Sequence, residues 1–333
     1  MKKLINDPAS YVDESLEGMA VAHPHHYALT GRNRRVVSRP TPKSGGKVGI
    51  ASGGGFGHLP LFAGYVGQGL LDACAVGNVF AGPALEDVVD AIAASDHGAG
   101  VLNIIGNYGG DRMVFGTASD MFALEGKQVE TILAADDVAS ASTDRADTRR
   151  GVAGVVLAYK VAGAAAEQGR SLSDVASITR RALGGCRSIG VALTSCTIPT
   201  AGKPTFDIPA DAIELGMGIH GEKGLWRGPN KPADEIADEL TRLLLDDLRP
   251  ENGSRVAVLV NSLGATPLDE LYILFRRIEA TLRNLDISIP FRRVGHLATS
   301  MEMAGASVTL MSVDDELLAL LNAPADCPHW MMQ

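Results

Sequence analysis

Aromatic side chains are scarce in this chain, and their scarcity limits the kind of core that it can build. Phe, Trp and Tyr make up 5% of the 333 residues, whereas glycine alone accounts for 38 of them. A core with few rings and many glycines depends on aliphatic side chains and on the close approach of backbone segments. A chain of this length is also expected to form two domains rather than one.

Cysteine pairs and long apolar runs are missing as well. The four cysteines are scattered and include no Cys-x-x-Cys pair. That spacing excludes the usual signatures of a zinc site and of a disulfide framework, so we interpret the cysteines as reduced and mostly buried thiols. No run approaches the length of a membrane span, and the two lysines near the N-terminus are not followed by an apolar signal segment. We therefore expect a cytoplasmic protein that does not enter a membrane.

Excess positive charge is also absent, since the formal net charge is −9 at pH 7. This balance gives no electrostatic reason to expect binding to nucleic acid or to an anionic membrane.

The hydrophobic pattern alternates between apolar runs and helix-like segments from residue 47 onward, which is typical of parallel strands joined by helices. It predicts two α/β domains, residues 1–186 with a mostly parallel sheet covered by helices and residues 187–333 with a mixed sheet and helices. Residues 1–45 are polar and contain several prolines, and some of this segment is expected to lie over a domain surface as an arm. The strand candidates are 47–51, 76–80, 101–106, 129–135, 188–194, 213–219, 254–261, 286–294 and 306–312. The helix candidates are 59–71, 84–95, 115–125, 151–168, 172–183, 232–248, 266–284 and 314–322.

A glycine-rich segment at residues 53–58 (Gly-Gly-Gly-Phe-Gly-His) follows the first strand candidate and is predicted to be a turn before a helix. It is not a P-loop, because the lysine and the hydroxyl residue that such a loop requires are absent. The acidic residue of a dinucleotide-binding fold is missing too, since the next strand candidate ends in Asn78-Val79-Phe80. A generic nucleotide-dependent oxidoreductase is therefore disfavoured.

Two polar side chains follow neighbouring strand candidates and are expected at one edge of the sheet. His58 ends the glycine-rich segment, and Asp111 follows the strand candidate at 101–106. Because the carboxyl ends of parallel strands form the ligand-binding crevice of an α/β sheet, His58 is a candidate acid or base. Asp111 is a helix N-cap, a hydrogen-bond acceptor for a substrate hydroxyl, or an acid/base partner of His58.

Three other clusters invite chemical roles. His220 lies between Gly218 and Gly221, where a small ligand could reach the ring, and an unprotonated imidazole nitrogen can add to a ketone. Local pattern alone favours an ordinary turn for His220. The pair Asp136 and Asp137 favours a turn or a contact with a partner over a magnesium site. The histidines flanking Pro24 favour a polar turn over a metal site.

Taken together, the motifs of this chain resemble the substrate-binding K subunit of dihydroxyacetone kinase over roughly residues 15–325. The motifs that carry the resemblance are residues 53–58, 107–111 (Asn-Tyr-Gly-Gly-Asp), 149–154 (Arg-Arg-Gly-Val-Ala-Gly), 195–199 (Ser-Cys-Thr-Ile-Pro) and 214–222 (Glu-Leu-Gly-Met-Gly-Ile-His-Gly-Glu).

The resemblance implies a kinase subunit, a phosphotransferase acting on an alcohol group, that holds a short-chain ketose covalently. It implies that His220 forms a hemiaminal with the carbonyl carbon, that His58 acts as general base on the phosphorylated hydroxyl, and that Asp111 helps to bind and activate that hydroxyl. It also implies that Gly55, Phe56, Gly57 and Gly106 border the substrate. No metal site is expected.

The resemblance further implies partners. The family forms homodimers, and its nucleotide, ATP or ADP with magnesium, is carried by a separate L subunit, so no cofactor is expected in this chain. The sequence leaves open whether ATP or a protein of the phosphotransferase system supplies the phosphoryl group.

Three positions depart from the family pattern. Phe56 replaces a serine, Leu59 replaces a glutamate, and Gly106 stands where the family has a substrate-contacting lysine. The lost lysine opens space, so we expect a ketose larger than dihydroxyacetone, such as erythrulose or another four- or five-carbon ketose. The alternative from another class is a non-catalytic coactivator that senses a ketose. Retention of His58, Asp111 and His220 together favours the kinase.

Overall fold

The computed structural model describes residues 2–333, which divide into two compact α/β units. The first unit comprises the chain up to Ala134, Val155–Arg181 and Ala319–Gln333, and the second comprises Ala135–Gly154 and Ala182–Leu318. The predicted architecture of two α/β domains is confirmed. The contacts do not follow the single boundary expected between residues 186 and 187, because the chain passes between the units more than once.

In the described residues, 2–333, the first unit is built on a six-stranded sheet. The strand order of this sheet is β1-β2-β4-β3-β5-β6. Strands β3 to β6 run parallel to one another, whereas β2 pairs antiparallel with β4 and β1 pairs antiparallel with β2 at the edge. Every residue of β5 is buried, as expected of a parallel strand covered on both faces. The strands are β1 (Ala28–Thr30), β2 (Val36–Ser38), β3 (Gly49–Phe56), β4 (Ala73–Val79), β5 (Val101–Gly106) and β6 (Val129–Ala134).

Among the described residues, five α-helices lie between residues 11 and 184. They are α1 (Tyr11–Ala22), α2 (Leu85–Ser95), α3 (Gly109–Leu124), α4 (Val155–Glu167) and α5 (Leu172–Gly184). All of α4 except its last residue is buried. Its small residues allow this, since a Cβ on Gly163 would lie 2.4 Å from the backbone of Gly69 and Leu70.

Two expectations for the first unit were wrong. Residues 59–71 form no α-helix but turns around a short 3₁₀ segment at Ala63–Tyr65, because Pro60 and three glycines interrupt the segment. A Cβ on Gly67 would lie 2.2 Å from the carbonyl oxygen of Asp326, so this segment packs backbone to backbone. Strand β3 also continues through the glycine run that was expected to be a turn. The segment before residue 46, part of which was expected to form an arm, contains α1, β1 and β2, and the two strands are too short to show an alternating pattern.

The second unit contains a mixed sheet of order β11-β10-β12-β7-β8-β9, as predicted. Its β10–β11 pair is parallel, and its other neighbouring strands are antiparallel. The expected strand at 213–219 ends at Leu215, because Gly216 takes a left-handed conformation with φ of +81°. The strands are β7 (Cys186–Ala192), β8 (Ala212–Leu215), β9 (Trp226–Pro229), β10 (Arg255–Ser262), β11 (Ser288–Gly295) and β12 (Gly305–Ser312).

Helices α6 (Ala233–Leu248) and α7 (Leu268–Asn284) pack apolar faces into the core of this unit, where Leu240 and Ile278 join Val258 of β10. The chain ends with α8 (Asp315–Leu321) and a hairpin of β13 (Ala325–Cys327) and β14 (Trp330–Met332). No helix within residues 2–333 is both long and apolar enough to cross a membrane.

A buried carboxylate ties the polar N-terminal segment to the sheet of the first unit. Asp72, which is 2% exposed, accepts hydrogen bonds from Lys43 Nζ at 2.8 Å, Arg39 at 2.9 Å and the backbone N–H of Ile50 at 2.8 Å. Burial alone would raise the pKa of Asp72, but the hydrogen bonds and positive charges around it, with His97 and Lys43 foremost, hold it below its usual value. The ionised carboxylate therefore stabilises the folded state.

We expect Asp72→Asn to lower the free energy of unfolding by roughly 3 kcal/mol at pH 7, because it leaves Lys43 buried without its carboxylate partner. In the unchanged protein the same contribution is present above the ordinary pKa near 3.8 and is lost as the pH falls toward the lowered folded value. Urea unfolding monitored by circular dichroism at several pH values measures both effects.

The matched control is Asp246→Asn, which removes an exposed carboxylate paired with Arg242 one helical turn away. That change is expected to cost less than about 0.5 kcal/mol. Equal urea midpoints for the two variants would contradict the role given to Asp72.

Candidate functional site

The carboxyl ends of β3 and β4 place a histidine against two phenylalanine rings. His58, two residues beyond β3, is buried. Its ring stacks on Phe80, which follows β4, with centroids 4.9 Å apart and planes at 21°. Phe62 meets the same ring edge-on, with centroids 6.2 Å apart. The predicted position of His58 at the carboxyl edge of the sheet is therefore found, in an apolar and water-excluded setting.

Phe80 takes an unusual backbone conformation to reach this position. Its φ is +57°, in the left-handed region that is costly for a residue with a bulky side chain. Its N–H donates to the carbonyl of Phe56 at 3.0 Å, which holds the end of β4 against the end of β3. Such strain is stored most often at ligand-binding sites.

Asp111 lies close to the loop that follows β4. It is the third residue of α3, is 8% exposed, and is not the helix cap, since the N-cap position belongs to Tyr108. A Cβ on Gly82 would lie 2.5 Å from Asp111 Oδ1, so a glycine is needed beside this carboxylate. The first turn of a helix favours a negative charge. The loop between Phe80 and Gly82 therefore touches both His58 and Asp111.

The three consecutive glycines of β3 are required by close packing within the first unit. A Cβ on Gly53 would lie 2.7 Å from the carbonyl oxygen of Ala75, and one on Gly54 would lie 2.1 Å from the ring of Phe62. A Cβ on Gly55 would lie 2.8 Å from the N–H nitrogen of Ala81. Protein atoms thus explain this glycine run without any ligand.

Phe56, one of the three positions that depart from the family pattern, packs against helix α1. Its buried ring meets Tyr11 of α1 edge-on, with centroids 5.9 Å apart. The next residue, Gly57, has φ of +102°, which only glycine adopts readily. Gly106 is the buried last residue of β5 and pairs with Ala134 of β6.

His220 lies in the second unit on a tight loop that folds a carboxylate under the imidazole. Glu222 Oε2 accepts from the backbone N–H of His220 at 3.0 Å, and Oε1 lies 3.1 Å from the ring nitrogen Nδ1. Burial alone would raise the pKa of Glu222, but the hydrogen bond and charge of His220 and the charge of Arg150 lower it to about 2. Glu222 is therefore ionised throughout the neutral range.

Arg150 lies close to three polar groups of the second unit. Its guanidinium lies 2.7 Å from Asp137 Oδ2, donates to the carbonyl of Gly216 at 3.2 Å, and lies 3.9 Å from Glu222. The sequence analysis assigned no role to Arg150 or Glu222. Arg150 belongs to the motif at 149–154, and Glu222 belongs to the motif at 214–222. A charged residue two positions from the candidate histidine was the available signal.

A cavity of about 410 Å³ opens beside this loop within the second unit. Phe206 and Trp226 supply apolar surface, Lys223 supplies positive charge, and Arg227 is paired with the carboxylate of Glu214, which also lines the cavity. Gly221 belongs to the wall, so the loop of His220 borders a space large enough for a small molecule.

The sets of side chains considered as metal ligands make other contacts. Asp136 accepts from the backbone N–H groups of Val152 and Gly154 at 3.0 and 2.8 Å. His26 pairs with Asp326 at 3.0 Å. Across residues 2–333 no three His, Cys, Asp or Glu side chains converge as a metal site would require.

These arrangements suit two different chemical tasks. A buried histidine whose neighbouring loop also contacts a carboxylate can take a proton from a hydroxyl. A half-buried imidazole bonded to an ionised carboxylate can act as a nucleophile.

The comparisons with known proteins place the chain among dihydroxyacetone kinase relatives. The family model described as the Dak1 domain matches residues 17–329. A PTS-dependent dihydroxyacetone kinase subunit of Listeria innocua, described as dihydroxyacetone-binding, is 39% identical over 99% of both chains. The corresponding PEP-dependent subunit of Escherichia coli is 40% identical over 98% of both chains. The L-erythrulose kinase of Pectobacterium atrosepticum is 39% identical, and this chain spans 56% of its length.

Solved structures show the same relationship. The dihydroxyacetone kinase from C. freundii superimposes with a TM-score of 0.90 at 31% identity, over 99% of this chain and 61% of that one. A dihydroxyacetone kinase operon co-activator, Dha-DhaQ, gives a TM-score of 0.90 at 32% identity, over 96% and 98% of the two chains. The resemblance to the K subunit found in the sequence is confirmed, and the chain belongs to the Dak1 domain family.

Proposed function

We propose that this chain is the ketose-binding subunit of a kinase of the dihydroxyacetone type. The observation that carries the proposal is the match to dihydroxyacetone-binding subunits over nearly the full length of both chains, in a protein that also retains His58, Asp111 and His220. Those relatives are named as parts of multi-subunit kinases. The chain would bind a short ketose and present one hydroxyl for phosphorylation.

In this proposal His220 traps the substrate as a hemiaminal. Its imidazole nitrogen adds to the ketone carbon, so a polyol such as glycerol, which lacks a carbonyl, is rejected by chemistry rather than by shape. The contact between Nδ1 and Glu222 supports this role, because it restrains the ring in one orientation. The neighbouring cavity offers room for the ketose.

His58 acts as the general base in the phosphoryl transfer. The stacked Phe80 and the edge of Phe62 fix the ring and keep water from it, which strengthens every electrostatic interaction at the site. Asp111 helps to bind and activate the same hydroxyl, whose single proton goes to His58. Its buried position beside Gly82 supports such an orienting role.

The phosphoryl group comes from a partner. We infer an L-type subunit that carries ATP or ADP with magnesium, because the relatives of the same length are named as subunits and because this sequence has no P-loop. Two copies of this chain would associate as a homodimer, as the resemblance implies.

The substrate we propose is a ketose of four or five carbons, with erythrulose as the first choice. Gly106 ends β5, the strand that leads into Asp111, and provides no side chain where the family has a lysine. Three relatives at 37–39% identity are named as erythrulose kinases. Phe56 is not part of this argument, because its ring packs on Tyr11.

We expect the two histidines to separate trapping from turnover. His58→Ala should retain the covalent ketose, measured by intact-mass spectrometry, while kcat with an L-type subunit falls about 10²- to 10⁴-fold. His220→Ala should lose the mass increment.

His296→Ala, which changes a histidine bonded to the carbonyl of Gly264, is the matched control and should alter neither reading. Loss of the adduct in His58→Ala with retention in His220→Ala would reverse the assigned roles.

We expect Gly82→Ala to lower kcat about 100-fold while the fold survives, since the new methyl group displaces the carboxylate of Asp111 and misplacements near 1 Å have costs of that order. Gly116→Ala is the control: it adds a methyl group to α3 where no atom lies within 4 Å. That variant should keep full turnover and gain up to about 1 kcal/mol in stability. Equal kcat values for both variants would remove Asp111 from the mechanism.

We expect kcat/KM for erythrulose to exceed that for dihydroxyacetone in assays with the partner subunit. Gly106→Lys should narrow the site and shift the ratio toward the smaller ketose. Fastest turnover on dihydroxyacetone by the unchanged protein would contradict the larger substrate.

A non-catalytic coactivator is the second candidate, and the match to Dha-DhaQ over 96% of the chain favours it. A coactivator would bind a ketose without turnover alongside any L-type subunit, and His58→Ala would leave its transcriptional output intact. The kinase is preferred because a sensor does not need a base at His58.

A further inference from the structure

The carboxylate of Glu222 is placed to control which nitrogen of His220 carries the proton. One of its oxygens accepts from the backbone N–H of His220, and the other faces Nδ1. An ionised carboxylate can only accept hydrogen bonds, so the nitrogen that faces it must be the protonated one. In a neutral imidazole the lone pair then lies on Nε2.

We propose that Glu222 is a positioning residue that holds His220 as the Nδ1-protonated tautomer, so that Nε2 is the atom that attacks the ketone. This inference rests on the proposed function for the attack itself, whereas the tautomer is a property of the protein alone.

Formation of this bond requires no reactant other than water. The Nε2 lone pair forms the bond to the carbonyl carbon, the π pair of the carbonyl moves to its oxygen, and that oxygen takes a proton from water, which leaves as hydroxide. The ring then carries a positive charge with its Nδ1–H directed at the Glu222 carboxylate. The same hydrogen bond that selects the nucleophilic nitrogen therefore also stabilises the adduct.

Arg150 and Gly218 keep the carboxylate in place. Arg150 lies between Glu222 and Asp137, at 3.9 and 2.7 Å, so its charge offsets part of the negative charge beneath the imidazole. A Cβ on Gly218 would lie 2.2 Å from Glu222 Oε2 and 2.5 Å from Arg150 Nη1. Gly218 thus leaves the space that the carboxylate of Glu222 occupies.

Glu222→Gln is the most direct test, because it replaces one oxygen by an NH₂ group at nearly constant shape. The remaining oxygen is needed by the backbone N–H of His220, which leaves the NH₂ group to face Nδ1. A donor at that place requires Nδ1 to be the acceptor and moves the proton to Nε2. The variant should therefore hold the wrong tautomer in an otherwise unchanged loop.

The measurement is ¹⁵N NMR of protein labelled on its histidine rings, with the His220 signals assigned by their loss in His220→Asn. At about pH 8.5, above the usual imidazole range, the unchanged protein should show a protonated Nδ1 and an unprotonated Nε2. Glu222→Gln should show the reverse. Incubation with erythrulose and intact-mass analysis should then show an adduct equilibrium about ten- to a hundredfold weaker in the variant, the value of one hydrogen bond to a charged group.

Two further variants keep the test decisive. Gly218→Ala retains Glu222 but displaces its carboxylate, and it should weaken the adduct in the same direction. Glu279→Gln changes another carboxylate of the second unit, one paired with Arg283 on α7, and it should change neither the His220 signals nor the adduct.

The outcomes are distinct. A protonated Nε2 in the unchanged protein, or equal tautomers in the unchanged protein and Glu222→Gln, overturns the inference. The expected tautomers without any adduct in the unchanged protein overturn the covalent part of the proposed function and leave the assignment of Glu222 standing. The expected tautomers together with a weakened adduct in both Glu222→Gln and Gly218→Ala support both.

Discussion

Both candidate loops depend on glycines at positions where no Cβ atom would fit. In the first unit, glycines let β3 lie against Ala75, Phe62 and Ala81, and Gly82 admits the carboxylate of Asp111. In the second, Gly218 admits the carboxylate of Glu222. Because protein interiors are packed to crystal density, a methyl group at any of these places must displace a neighbour. The high glycine content thus serves to bring polar side chains and backbone into contact.

The two candidate histidines have opposite surroundings, and this difference supports different tasks. His58 is buried between phenylalanine rings, where water cannot compete for its nitrogens. His220 is about one quarter exposed and bonded to an ionised carboxylate. A base benefits from a dry site in which proton transfer is directed, and a nucleophile needs an accessible nitrogen with a defined lone pair. The proposed division of labour follows from these environments.

Much of the fold could be predicted from the sequence, because long apolar strands and periodic helices give strong signals. Strand β5 has the predicted bounds, 101–106, and helix α6 starts within one residue of its prediction. The segment at 59–71 failed because an apolar composition can also serve turns that pack on other backbone, here that of Asp326. Three-residue strands such as β2 were invisible, since their pairing is set by distant residues.

The candidate site was only partly predictable, for a related reason. The carboxyl-edge rule located His58 and Asp111, since parallel strands direct their ends to one edge. The rule says nothing about side chains that act through another residue, and so Glu222 and Arg150 went unassigned. Phe56 shows the converse limit: its place in a motif suggested the substrate, whereas its ring contacts Tyr11.

The central claim is that this protein holds a ketose through His220. A crystal structure of the protein soaked with erythrulose tests it most directly. The account predicts continuous electron density between Nε2 of His220 and the former carbonyl carbon, with that carbon tetrahedral. A ketose bound with an intact planar carbonyl and no bond to His220 would contradict it.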